Sequence, residues 1–441
     1  MLSRRHFLGI SGAGLLALSS GCRPQHIPGL LDREKSSSLN NISLAEKAQL
    51  QKLKNYFLGY PINMNTPDEA FFEWRRKLVD TGIGAFAYNN VGNPYKESAI
   101  PFNTHDFERE IINKFAKLYG FPVNNTWGFI SNSGTDSNMH GMYIGRTLLK
   151  GKAGVVPKAY FTKEAHYSVQ ILRDLLGLET MLVDTLPDGG MDPDDLKNKV
   201  SANPNHPALV VATIGTTFKG AIDRLDQIQQ ALKDRTFYLH LDAALFGGYL
   251  PFTSHAEEVL YRSQNSGNKP RYHSIAVSCH KFFGSPSPAG LFITTASAYE
   301  EFNALFSQIH NPEYIHHVPG TITCSRDAVK PAEFYYFSTP EALSRLTEDA
   351  RMILDNTTYL MDQMQNRYSY LQPTRVNPLS NTIYFKTPGS WVVKKYSLAT
   401  MHLDMNGVKQ EHAHVVIMPH VNRTILSEFL DDLGKNNRKE S

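Results

Sequence analysis

Cysteine is scarce: Cys22, Cys279 and Cys324 are the only three in 441 residues. A disulfide framework is therefore excluded as the basis of the fold, which must rest on buried apolar area. The apolar stretch from Phe7 to Ser20 is too short and too rich in glycine to favour a membrane-spanning helix. Charge of one sign is lacking as well. The 45 Lys and Arg residues stand against 42 Asp and Glu, and two of the three excess positive charges are Arg4 and Arg5. That balance leaves no room for a nucleic-acid binder of the electrostatic kind. No internal repeat or low-complexity tract is present. At 41% hydrophobic and 20% charged residues, the composition is that of an ordinary globular protein with more than one domain.

The N-terminus reads as an export signal over residues 1–22, with Arg4 and Arg5 ahead of the apolar stretch. Ser3-Arg4-Arg5-His6-Phe7-Leu8 resembles the twin-arginine motif, whose pathway carries folded proteins. Leu18-Ser19-Ser20-Gly21-Cys22 resembles a bacterial lipoprotein cleavage site, which makes Cys22 a candidate for lipid attachment. The expectation is an exported protein, periplasmic or lipid-anchored at a bacterial cell envelope, that meets the membrane only through that lipid. Residues 23–60 follow as a polar tether and an N-terminal arm, with an amphipathic helix at about Leu44 to Phe57.

From residue 61 to 320 strands and helices alternate. Helices are expected at Asp106 to Leu118, Asp136 to Leu149 and Tyr167 to Leu176. Strands are expected at Ala159 to Thr162, Met181 to Val183, Ala208 to Thr213, Phe237 to Leu241 and Ile275 to Ser278. Such alternation implies an α/β fold, with a mostly parallel sheet covered on both faces. Residues 321–441 read as a smaller α+β domain: a long helix at Pro340 to Asn366, strands at Thr382 to Phe385 and Ala413 to Ile417, and a last helix at Arg423 to Leu433.

In an open parallel sheet ligands sit beyond the carboxyl ends of the strands, so polar residues there carry the information. The strand in SIAVSCHKFFGSPSPAG ends on Ser278, His280 and Lys281; a lysine at the mouth of an apolar strand either reaches solvent or is used. FYLHLDAALFGG ends on Asp242, followed by Ala243 and Ala244. In isolation that carboxylate fits a salt bridge or helix cap as well as a ligand. VVATIGTTFKGAID ends on Gly215-Thr216-Thr217, a tight turn when taken alone. SNSGTDSNMHG places Ser133, Gly134 and Thr135 before a helix, where they serve as a phosphate cradle or as plain N-caps. Taken together they supply an amine for a Schiff base, an acid for a pyridinium nitrogen and a phosphate cup, the groups a pyridoxal phosphate site requires.

These segments resemble the group II pyridoxal phosphate-dependent amino acid decarboxylases, and within them the compact histidine and serine decarboxylases. SNSGTDSN is similar to the family's NGGTEGN, AHYSV to SHYSV, IGTTFKGAID to IGTTxKGAID, HLDAALFGGYLPF to HADAALxGxxLPF, and VSCHKFFGSPSPAG to VSGHKxxGSPxPCG. The resemblance implies the aspartate-aminotransferase-like fold (pyridoxal phosphate fold type I) and a homodimer with active sites at its interface. It implies Lys281 as the Schiff-base lysine, Asp242 as the partner of the ring nitrogen and His166 stacked on the ring. Ser133, Gly134, Thr135, Ser278 and His280 would hold the phosphate, with Thr217 and Ala244 beside the ring. Tyr314 is the candidate proton donor, on a loop that closes over the site from the partner subunit. Ser325 and Arg326 are expected at the substrate or the partner, Arg326 on a phosphate or carboxylate.

The family's SRNGH is here Ser325-Arg326-Asp327-Ala328-Val329, which would bring the Asp327 carboxylate into the substrate pocket wall. Cys279 stands where glycine is usual. His310, His316 and His317 match no metal-ligand spacing. The implied activity is decarboxylation of an L-amino acid, histidine first and serine next. The same residues also fit an aldehyde-forming oxidative deamination, or a silent exported binder of the cofactor.

Overall fold

The computed structural model describes residues 44–262, 269–315, 317–405 and 407–436. The export signal, Cys22 and the tether lie outside the described residues, as does His316. The described residues from 55 onward form one compact unit. The arm appears as a helix at Leu44–Leu50 followed by a 3-10 turn at Gln51–Tyr56. Among the described residues no helix is long and apolar enough to cross a membrane.

Seven strands form the main sheet: β1 (Trp127–Ser131), β2 (Lys158–Thr162), β3 (Thr180–Val183), β4 (Ala208–Thr213), β5 (Phe237–Asp242), β6 (Ser274–Ser278) and β7 (Gly290–Thr294). Their spatial order is β1-β7-β6-β5-β4-β2-β3. The pairs β2–β3, β2–β4, β4–β5 and β5–β6 are parallel, while β7 runs antiparallel to both its neighbours. The α/β, mostly parallel architecture expected from the alternation is present.

Both faces of the sheet are covered, which explains why its strands are continuous apolar runs. Successive residues of one strand enter different cores. On β4, Ala208, Val210 and Ala212 belong to one cluster and Leu209 and Val211 to the other. The second cluster packs under the helix Gly134–Ala153, which lies along β4, β5 and β6. A second sheet, of three antiparallel strands, is built from β8 (Thr382–Lys386), β9 (Ala399–Met405) and β10 (Val408–Val416), in the order β8-β10-β9. The helices Pro340–Tyr368 and Arg423–Asn436 pack on each other.

Two expectations for the 325–327 segment are corrected. Arg326 is not among the residues that line the cleft described below. It is buried, and its guanidinium makes a two-pronged ion pair with the equally buried Glu108, from Nη1 to Oε1 and from Nη2 to Oε2 at 3.1 Å. Nη2 also donates to the Gly92 carbonyl at 3.3 Å, and the guanidinium carbon lies 4.9 Å from the centre of the Phe129 ring. Burial pushes the Glu108 carboxyl up, and Arg326 opposes that shift. Asp327 forms no pocket wall in this chain. Its Oδ1 accepts from the backbone N–H groups of Val329 (2.8 Å) and Lys330 (3.1 Å), capping the short helix Val329–Phe334. Ser325 accepts from Asn89 Nδ2 at 3.1 Å at the surface. Removing one partner of a fully buried pair strands the other charge, so Arg326→Leu is expected to cost about 3–5 kcal/mol of stability. Chemical denaturation beside the parent protein checks this.

Candidate active site

Parallel strands bring their carboxyl ends to one edge, and that edge carries a cleft of about 290 Å³. Its lining includes every residue expected to hold the cofactor: Ser133, Gly134 and Thr135 after β1, His166 after β2, Thr217 after β4, Asp242 and Ala244 at the end of β5, and Ser278, His280 and Lys281 at the end of β6. Pro288 joins them because β7 is antiparallel and begins at the edge where its neighbours end. Val416, at the end of β10, and Pro61 close the cleft from the other side.

Backbone bonds fix these strand ends. Ile214 N–H donates to the Asp242 carbonyl at 2.9 Å, and Ser278 N–H to the Ala244 carbonyl at 3.0 Å. Asp242 is buried, and its Oδ1 accepts from Ala244 N–H at 3.2 Å. Lys281 is partly buried, with its carbonyl held by Asn63 N–H at 3.3 Å. Burial lowers the Lys281 pKa from the ordinary lysine value, and the Asp242 carboxylate partly restores it. His166 caps the helix Tyr167–Leu175: its Nδ1 accepts from Ser168 N–H at 3.2 Å and lies 2.8 Å from the Ser168 hydroxyl. Accepting a backbone N–H at Nδ1 places the proton of the neutral ring on Nε2. Burial pushes His166 down, Asp242 pulls it up and Lys281 pushes it down again, leaving it below the ordinary histidine value.

The phosphate end is a helix N-terminus. Ser133 is the N-cap of Gly134–Ala153, its hydroxyl accepting from Asp136 N–H at 3.3 Å, so its own O–H stays available. The first N–H groups of this 20-residue helix have no intrahelical acceptor and face an anion site. A Cβ on Gly134 would stand 2.4 Å from Ser278 Oγ, which shows how closely the cup is drawn. Gly134→Ala is accordingly expected to turn the Ser278 hydroxyl out of the cup and weaken cofactor binding about tenfold or more, measured by titrating the absorbance of the bound cofactor. Asp136 faces away, its Oδ2 accepting from Asn132 N–H at 2.9 Å. Cys279 is buried, and burial raises its thiol pKa well above the usual range, so it adds no reactive group to the cleft.

Pyridoxal phosphate fits this donor set on three observations: an amine whose pKa burial lowers, a carboxylate that acts on it, and an anion cup of unpaired backbone N–H groups with hydroxyls. A fourth is the buried Thr213 Oγ1, on a residue that lines the cleft, which has no hydrogen-bond partner among the described residues. Thr213, Asn138 and Ser168 line the cleft but were not singled out from the sequence; each is an ordinary polar residue near a motif whose other members drew attention. Tyr314 is not among the cleft-lining side chains. It stands 79% exposed on the 3-10 turn Glu313–Ile315.

Residues 95–371 match the family model described as the pyridoxal-dependent decarboxylase conserved domain. The chain is 32% identical over 392 residues to a histidine decarboxylase of Solanum lycopersicum, covering 87% of this chain and 86% of that protein. It is 31% identical over 406 residues to serine decarboxylase 1 of Oryza sativa subsp. japonica, covering 91% of this chain and 76% of that protein. Among solved structures it is similar to the L-methionine decarboxylase of Streptomyces sp. 590, with a TM-score of 0.74 over 90% of this chain and 94% of that one; at 22% identity this likeness speaks for the fold. Lys281, Asp242 and the phosphate cup on the sheet edge agree with these matches: the chain belongs to the pyridoxal-dependent decarboxylase family and is a pyridoxal phosphate-dependent amino acid decarboxylase.

Proposed function

We propose that the chain decarboxylates L-histidine, with L-serine the second candidate, releasing the amine and CO2. The observation that carries the reading is the convergence of Lys281, Asp242 and His166 in one cleft beside a phosphate cup. The similarity at 30–32% identity to histidine decarboxylases of tomato and of Pseudomonas entomophila supports the choice of histidine. Similarity to rice serine decarboxylase 1 at 31% keeps serine second.

Pyridoxal phosphate, bound through Lys281, supplies an electron sink for the bond broken at the substrate Cα. The residues of the chain do the rest. Lys281 is the residue that would hold the cofactor through its aldehyde. Asp242 would keep a proton on the ring nitrogen by Coulomb attraction. His166 would lie on the ring face, and in its neutral form, with the proton on Nε2, would offer a donor to the substrate carboxylate. Gly134, Thr135, Ser133 and Ser278 would anchor the phosphate and so help to fix the orientation of the bound substrate.

The proton that replaces CO2 on Cα comes, in this reading, from the Tyr314 hydroxyl of a second copy. Apolar side chains exposed around the cleft suit such a pairing: Tyr167 (71%), Ile171 (57%) and Leu175 (68%) run in steps of four along the helix that His166 caps. Tyr314→Phe is expected to slow product formation about a hundredfold and to leave cofactor content unchanged. Mixing Tyr314→Phe with Lys281→Ala subunits should restore part of the activity, because one site of each mixed dimer then receives both residues.

Substrate choice is tested by product analysis of the cofactor-loaded protein with a panel of L-amino acids. Histamine from histidine supports the proposal, and ethanolamine from serine shifts it to the second candidate. An aldehyde with hydrogen peroxide would contradict both.

A further inference from the structure

One polar pair under the cleft is used by nothing described so far. His240 lies on β5 two residues before Asp242, on the same face of the strand, and is fully buried. Its Nδ1 is 2.8 Å from Ser274 Oγ and its Nε2 is 2.9 Å from Asn138 Oδ1. Asn138 belongs to the helix Gly134–Ala153, one turn beyond the phosphate cup, and is a lining residue of the cleft. The close approach is built in: a Cβ on Gly141 would stand 2.2 Å from the His240 ring, so only glycine lets the helix lie this near the strand.

With Asn138 Oδ1 turned to the ring, the donors and acceptors of this pair leave one arrangement. Burial drives the His240 pKa down to about 3, so the ring is neutral at any working pH, with one donor nitrogen and one acceptor. Asn138 meets it with a carbonyl oxygen, which only accepts, so the ring proton sits on Nε2 and the Ser274 hydroxyl donates to Nδ1. The amide of Asn138 is thereby turned with Oδ1 inward and Nδ2 outward. Asn138 is 2% exposed and lines the cleft, and with Oδ1 spent on His240 the donor it has left for the cleft is Nδ2.

We propose that Asn138 is a cofactor-binding residue, donating from Nδ2 to pyridoxal phosphate on the cleft floor near Asp242, and that His240 is the positioning residue that fixes its amide. A reversed amide would set a carbonyl oxygen against the cofactor and would require the His240 proton to move to Nδ1, donating to Ser274 Oγ.

The test measures loss of cofactor from the full-length holoenzyme, followed by absorbance after dilution into cofactor-free buffer. The variants are Asn138→Leu, His240→Leu and His240→Gln, with thermal melting of each variant as the control for folding. Asn138→Leu and His240→Leu are both expected to release the cofactor about tenfold faster, and the double variant no faster than either alone, because both remove the same contact. His240→Gln can still donate to Asn138 Oδ1 and is expected to retain the cofactor within about threefold of the parent. Parental release and an unchanged absorption spectrum in Asn138→Leu would overturn the proposal. Independent, additive losses in the double variant would overturn the link to His240 even if His240→Leu folds poorly, since Asn138→Leu and His240→Gln give the same reading. A parent protein that holds no cofactor would contradict the family assignment, a separate result.

Discussion

Lys281→Ala is expected to lower amine formation by about a thousandfold or more, with folding little changed. The side chain makes no hydrogen bond among the described residues, and the bonds that fix this turn run through its backbone, from Asn63 N–H and Gly284 N–H to the Lys281 carbonyl. An alanine keeps those bonds, so the loss isolates the amine. Burial lowers the pKa of the free Lys281 amine, so capture of the cofactor by the apoprotein is expected to persist to a lower pH than an ordinary lysine would allow. The measurements are cofactor capture against pH for the parent and product formation for the variant, with melting of the variant as control. Loss of the fold in Lys281→Ala would show that the lysine is structural.

The second large effect concerns Asp242. Asp242→Asn preserves shape and one acceptor for Ala244 N–H, but removes the negative charge that holds a proton on the ring nitrogen. Its turnover is expected to fall about 10²–10³-fold. The change also has a signature that a packing defect would not produce. Asp242 raises the pKa of His166, which stays free in the holoenzyme, so without it that pKa falls further. The acid limb of the pH–rate profile should accordingly move to lower pH in Asp242→Asn. A variant with lowered rate and an unmoved acid limb would mean that Asp242 acts on the cofactor alone.

The cleft was legible in the sequence because a parallel sheet gathers the residues that follow its strands, and those residues are polar after an apolar run. His166, Thr217, Asp242 and Lys281 are separated by tens of residues in the chain and meet for that reason alone. Less of the frame could be read. β1 and β7 are five-residue apolar runs, buried throughout, with no alternation to separate them from other buried segments. β9 went unread, and β10 begins at Val408, earlier than its apolar end at Ala413 suggests, because its first residues are exposed and polar.

Arg326 was misread for a different reason. Its partner Glu108 lies 218 positions away on a helix whose apolar face gives no hint of a buried carboxylate. Asn138 escaped notice because its role depends on His240, 102 positions later, and on the glycine at 141 that lets helix and strand touch. Strand-end chemistry is written locally, whereas pairing across the core is not.

The most direct measurement is to reduce the resting holoenzyme with borohydride, digest it and locate the cofactor by peptide mass spectrometry. A single pyridoxyl group on the peptide carrying Lys281, absent from the Lys281→Ala protein, is the predicted result. The label on any other lysine, or no label on a protein that still releases CO2 from its substrate, would contradict the assignment of Lys281 and with it the site built around Asp242 and His166.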